Sequence, residues 1–430
     1  MTPQIKQRLD QIQRGEVPKG YRRTKAGLMP IEWCEKREYR ARDIFRSITN
    51  KRHNGEFEVL SATQDKGVVP RSQVDIDIKF DENSVTGYKK VDCGDFVISL
   101  RSFQGGIEYS EYEGLVSPAY TVLKPILTIC DGYFKAYFKS NDFISRLNKG
   151  TYGIRDGKQI GYEDFGDMVV HLPPLPEQQK IAEILSAQDK LIALKEKLIE
   201  EKKRQKKYLM QQLLTGKKRL PGFVGRWNCY LFSEIFSFLP TNTLSRENMT
   251  YDTCDICNIH YGDILTKYSE VLDCRKVRLP YIKNDAIPRV AEFVQEGDII
   301  IADTAEDNTV GKAIELNNVQ GFRILSGLHT MLCRPIKGKF SRGWLGYFIN
   351  SDAYHKQLIP LICGIKVSSI SKKEILKTSI MAPSLEEQTA IVTTLAAMDH
   401  EIDLLNYELR YEKQKKKALM QLLLTGIVRV

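Results

Sequence analysis

The feature that most constrains this chain is a segment written twice. Residues 173–220 fall on residues 383–430 without a gap, and about 21 of the 48 aligned positions are identical. An ungapped match of that length is an internal repeat, so the architecture is built from two like units. Each copy opens on a related dozen residues, "PLPEQQKIAEIL" (174–185) or "SLEEQTAIVTTL" (384–395), and closes on "LMQQLLTG" (209–216) or "LMQLLLTG" (419–426). Pro173, Leu175, Glu177, Gln178 and Ile181 recur as Pro383, Leu385, Glu387, Gln388 and Ile391.

Each copy reads as one long helix. Proline is tolerated at a first turn and a glutamate suits the positive end of the helix dipole. Gly216 and Gly426 stand where a left-handed cap would end the helix. Nearly 40 residues lie between, about 58 Å at 1.5 Å per residue. In the second copy Ile391, Leu395, Met398, Ile402, Leu405 and Leu409 step by four and three, the heptad seam of a coiled coil. The first copy keeps the seam at Ile181, Leu185, Ile192 and Ile199, with Gln188 and Lys195 interrupting it. An isolated helix of this kind is marginal in water. The natural partner for one copy is the other, paired antiparallel.

The segments outside the helices repeat more faintly. "CGDFVIS" (93–99) resembles "EGDIIIA" (296–302), "GLVSPAYTVLKP" (114–125) resembles "FRILSGLHTMLCRP" (322–335), and "YFKSNDF" (137–143) resembles "YFINSDA" (347–353). Short β-branched runs bounded by Gly, Asp and Asn favour strands, with a helix near the end of each domain. The expected fold is α+β. Two mixed α/β domains, 1–172 and 217–382, alternate with two long coiled-coil helices, 173–216 and 383–430, in a pseudo-twofold repeat.

A net charge of +10 suits a polyanionic partner without demanding one. Nine cysteines without paired spacing read as reduced thiols, which places the protein in the cytoplasm. No run approaches 18 apolar residues, so no membrane span is expected.

Motifs for catalysis are missing. "TVGKA" (309–313) has the Gly-Lys of a phosphate loop but neither the upstream glycine nor the hydroxyl that holds magnesium. "CDIC" (254–257) with His260 falls short of the two ligand pairs of a structural zinc site, so no metal is expected. There is no nucleophile elbow, no adenine-methyltransferase loop and no glycine-rich cofactor fingerprint. The expectation is a binder without cofactor or catalysis of its own.

The tandem order, with "LPPLPEQQKIAEIL" and "LMQQLLTGKKR" bounding a helical spacer, resembles the DNA-specificity subunit of type I restriction-modification systems. "GYRRTKAGLMPIEW" (20–33), "EGLVSPAYTVLKP" (113–125) and "IHYGDILTKY" (259–268) are similar to stretches of target recognition domains. The resemblance spans nearly the whole chain. It implies two target recognition domains separated by the conserved helices, each reading one half of an asymmetric, bipartite target in double-stranded DNA. It also implies modification subunits (two of them) and restriction subunits as partners that supply the chemistry. The partner-docking candidates are then Pro173, Leu175, Glu177, Gln178, Ile181, Pro383, Leu385, Glu387, Gln388 and Ile391. Ser384, Glu386 and Thr389 depart from the first copy's pattern, which bears on whether both helices grip their partners equally.

Residues 176–220 carry a net +6, residues 381–430 a net −1, and the remainder about +5. The runs "KKRQKK" (202–207) and "KQKKK" (413–417) read as phosphate contacts, as a solvated helix face or as partner surface. For base reading, Arg suits guanine and Asn or Gln suits adenine. That selects Arg71, Gln73, Arg101, Gln104, Arg155 and Lys158 in the first domain, and Lys267, Asn308, Lys312 and Lys366 in the second. Each alone reads first as an exposed surface residue and only second as a base contact. A fused enzyme and a scaffold that never touches nucleic acid are the competing classes.

Overall fold

A computed structural model describes residues 2–34, 37–74, 82–100, 102–150, 160–288, 292–307, 309–364 and 367–430. The chain forms two compact units, residues 1–196 with 407–430 and residues 197–406. The division falls inside both long helices, because the ends of each helix are built into globular cores.

The first unit is organised on a four-stranded antiparallel sheet in the order Phe45–Ile48, Thr121–Pro125, Phe96–Ile98, Glu108–Tyr109. One face packs on the helices Asp131–Tyr137 and Asn141–Gly150 through Phe45, Phe96, Phe134, Phe138 and Phe143, all buried. Phe45 meets Phe134 edge to face, with centroids 5.1 Å apart, as ring quadrupoles prefer.

The second unit repeats this plan. Its five-stranded sheet runs Phe236–Leu239, Thr330–Pro335, Ile299–Ala302, Ala313–Asn317, Val271–Asp273, antiparallel except for the last pair. The helices Trp344–Ile349 and Asp352–Leu358 pack with Ile299, Ile301 and Met331 in one core. A second sheet, Met249–Thr250, Tyr281–Ile282, Cys257–Ile259, Ile324–Ser326, carries a parallel pair between its last two strands.

The faint sequence repeat has a physical cause. Gly94 and Gly297 take φ of 96° and 82° at the turn before the central strand, a conformation that costs other residues a clash. The aspartates that follow are buried and close the turn: Asp95 accepts from the Asp92 N–H at 2.9 Å, Asp298 from the Gln295 N–H at 2.8 Å.

The two long helices are Leu175–Leu213 and Leu385–Leu424. They pair antiparallel within each unit. In the first unit Asp189 bonds Lys416, Lys195 bonds Glu408 and Glu196 bonds Lys413, at 2.5–2.6 Å. In the second, Lys202 bonds Glu401 and Lys206 bonds Asp399, both at 2.6 Å. Numbers rise along one helix as they fall along the other. Ile181, Leu185 and Ile199 of the expected seam are buried, as are Ile391, Leu395 and Ile402. The two interruptions are polar cross-links: Gln188 donates to the Glu412 carboxylate at 2.7 Å, and Lys195 takes Glu408.

Gly216 and Gly426 end the helices in the left-handed region, with φ of 66° and 71°. The N–H two residues beyond each glycine returns to the helix, Lys218 to Gln212 O and Val428 to Leu422 O. No described helix is long and apolar enough to cross a membrane.

Candidate nucleic-acid interface

The repeated Glu-Gln pair at each helix start does one job twice. In the first unit both Glu177 oxygens receive Arg429, at 2.5 and 2.8 Å, and Oε2 also receives the Trp33 indole N–H at 2.9 Å. Arg429 bonds Glu32 as well, and its guanidinium lies 5.6 Å from the Trp33 ring centre. In the second unit Arg219 grips both Glu387 oxygens at 2.5 Å and lies 5.8 Å from the Trp227 ring centre. Arg219 and Arg429 are equivalent positions of the repeat, each just past a helix end. Each therefore locks the start of the other helix through a bidentate, charge-assisted pair.

The neighbouring glutamines cap backbone. Gln178 accepts from the Cys130 N–H and donates to Pro173 O; Gln388 accepts from the Ser341 N–H and donates to Pro383 O, all at 2.8–3.0 Å. Of the ten candidate docking residues, Pro173, Glu177, Gln178, Ile181, Pro383, Glu387, Gln388 and Ile391 are thus buried inside their own units. Leu175 is half-buried and Leu385 is exposed. Identity between the copies marks the lock between helix ends; a sequence alone does not separate a self-contact from a partner contact.

The lysine-rich runs are largely taken up by ion pairs. Lys202, Lys206, Lys413 and Lys416 bond acids of the facing helix, and Lys203 and Lys415 bond acids one turn away. Lys206 is buried and also bonds Glu270 at 2.6 Å. Burial pulls its pKa down, but Glu270 and Asp399 outweigh that and raise it, so its charge persists.

Among the DNA candidates, Arg101, Arg155, Lys158, Asn308 and Lys366 lie outside the described residues. Arg71 is half-buried and Gln73 exposed on the single turn Arg71–Gln73; Gln104 is exposed on the short helix Ser102–Gly105. The Lys312 ammonium points inward, donating to Leu265 O at 3.0 Å, and burial lowers its pKa.

Lys267 stands in a built cluster. Its ammonium is 2.8 Å from Asp263 Oδ1 and donates to the Tyr251 hydroxyl at 3.3 Å. Asp263 Oδ2 receives Arg246 at 2.7 Å. Asp263 is fully buried, whereas the Arg246 and Lys267 side chains are 48% and 50% exposed. Burial pushes the Asp263 carboxyl up, but the two cations outweigh it and hold it below the usual carboxylate range. Arg278 donates to Tyr251 O and lies 5.5 Å from the Tyr251 ring centre. Sequence reading missed Arg246, Tyr251 and Arg278. The signal available was Asp263 four residues before Lys267, one turn apart on a helix face.

Cys257 of the Cys-x-x-Cys pair is buried in a strand, its thiol pushed up to about 11 by burial. Among the described residues no three His, Cys, Asp or Glu side chains group as a metal site would.

The family model for the type I restriction modification DNA specificity domain matches twice, over residues 34–204 and 246–412. The chain belongs to that family. It is a specificity subunit with two recognition domains, one in each unit. A specificity subunit of the type I restriction enzyme MjaVIII from Methanocaldococcus jannaschii is 25% identical over 335 residues, 74% of this chain and 75% of the relative. The putative MjaX specificity subunit of the same organism is 25% identical over 453 residues, 95% and 97% of the two chains. A solved chain described as the structural basis of complex assembly and conformational transition of the type I R-M system shares the fold. Its TM-score is 0.55 at 16% identity, over 96% of this chain and all of that one.

Proposed function

We propose that this specificity subunit is non-catalytic and that each recognition domain reads one half of an asymmetric, bipartite DNA target. The paired helices serve as spacer between the half-sites, and two modification subunits dock on the chain, with restriction subunits completing the complex in the cytoplasm. The observation that carries this reading is the reciprocal lock. Arg429 on Glu177 and Arg219 on Glu387 keep the framework alike in the two units, while the two domains differ in sequence. A framework repeated under two unlike domains suits one complex reading two unlike half-sites.

Exposed apolar side chains on the helices support docking: Leu191, Leu194, Tyr407 and Tyr411 in the first unit, Leu198, Tyr208 and Leu404 in the second. Leu194, Tyr208, Leu404, Tyr407 and Tyr411 fall on the side of each helix away from the seam, and Leu191 and Leu198 flank it.

The test is methylation mapping in a strain that expresses this chain with its modification subunits. Two different half-sites with a fixed gap are expected, and replacing residues 217–382 with another recognition domain should change one half-site alone. A change in both halves would overturn the division of labour. Incorporation of labelled methyl groups into DNA by the purified chain alone would overturn the non-catalytic reading.

A further inference from the structure

The Arg246–Asp263–Lys267 cluster in the second recognition domain has the construction of a preset anion grip. Two cations from separate elements, a single turn at Arg246–Asn248 and the end of the helix Tyr261–Thr266, converge on one carboxylate with no exposed surface. Burying a carboxylate carries a desolvation cost that apolar packing avoids. Here that cost fixes the direction of two side chains whose free halves face solvent. Flexible surface lysines and arginines lose rotamer freedom when they bind; these two have already lost it. Beside them the Tyr251 ring, 44% exposed, lies under Arg278 and against Lys267. Lys267 also lines a cleft of about 780 Å³ in which lysines and acids alternate, Lys203 and Lys207 beside Glu270, Asp352 and Asp403, so the unbalanced positive charge is that of the cluster itself.

We propose that Asp263 is a positioning residue for DNA recognition, holding Arg246 and Lys267 as paired contacts to the phosphates of one half-site. Arg278, seated on the Tyr251 ring, extends the same patch. The inference rests on the proposed function above and adds to it which side chains grip the duplex in this domain and what aims them. Backbone contacts of this kind fix register and carry no base preference of their own.

The test uses the full chain assembled with its modification subunits and a duplex bearing the mapped target, with affinity measured across a salt series. Arg246→Ala and Lys267→Ala should each reduce the slope of log affinity against log salt by about 1 and weaken target and non-target duplexes alike. Asp263→Asn should weaken binding about tenfold in the wild-type background. In the Arg246→Ala/Lys267→Ala background it should have no further effect, an outcome that loss of local stability would not produce. Unchanged slopes, a loss confined to one base pair, or an Asp263→Asn effect of equal size in both backgrounds would each overturn the proposal while the proposed function stands. Salt-independent binding by the wild-type complex would sink the DNA reading itself.

Discussion

Arg219 places Nε and Nη2 each 2.5 Å from the two carboxylate oxygens of Glu387, a bidentate pair joining a residue just past one long helix to the first turn of the other. Glu387 is buried and Arg219 half-buried, so removing the arginine leaves the carboxylate without its partner. Arg219→Ala strands a buried carboxylate and should lower the denaturant midpoint of the second unit. Denaturant unfolding followed by the Trp227 signal reads it. The double variant Arg219→Ala/Glu387→Ala should lose less than the sum of its singles; full additivity would show that the pair is not coupled.

His171 sets a pH dependence in the first unit. It is fully buried, and one ring nitrogen, Nδ1, lies 2.8 Å from Leu424 O near the end of the second long helix. Burial lowers its pKa and Arg146 adds to that; the Leu424 and Ala26 carbonyls and Asp142 oppose less strongly. With the folded pKa below the ordinary value of 6.5, the unfolded chain takes up the proton first. Stability from this group is therefore present above pH 6.5 and declines as pH falls below it. Denaturant midpoints at pH 5.5 and 7.5 should differ more for the wild type than for His171→Asn. An equal difference in both would rule out this assignment.

Leu395 sits at the seam with no exposed surface, in the core it shares with Leu213, Trp344 and Ile391. Leu395→Lys places an ammonium there without a partner, at a cost on the order of 4 kcal/mol. The second unit should melt first in calorimetry. Wild-type melting would contradict the helix pairing.

Gly346, inside the helix Trp344–Ile349, has no space for a side chain. A Cβ there would stand 2.4 Å from Glu270 O and 2.9 Å from the Glu315 Cβ. Gly346→Ala should destabilise by roughly 1–3 kcal/mol as the helix is pushed off the sheet. Gly225→Ala, where nothing stands within 4 Å, is the control expected to change little in the same thermal melt.

The repeat, the two long helices with their glycine caps, their antiparallel pairing and the family were legible in the sequence, because helix period, capping and heptad spacing are local, unbroken in the second copy and interrupted only at Gln188 and Lys195 in the first. Gly94-Asp95 and Gly297-Asp298 were legible for the same reason: a turn needing positive φ is written in adjacent residues. Tertiary structure alone decided what the repeated glutamates do, since Glu177 and Arg429 lie 252 positions apart and nothing local joins them. It likewise decided that Lys312 turns inward while Lys267 stays out, and that Arg246 shares Asp263 with Lys267. Whether a charged side chain reaches solvent or a buried acid depends on which distant segment folds over it, and that is settled only when the core closes.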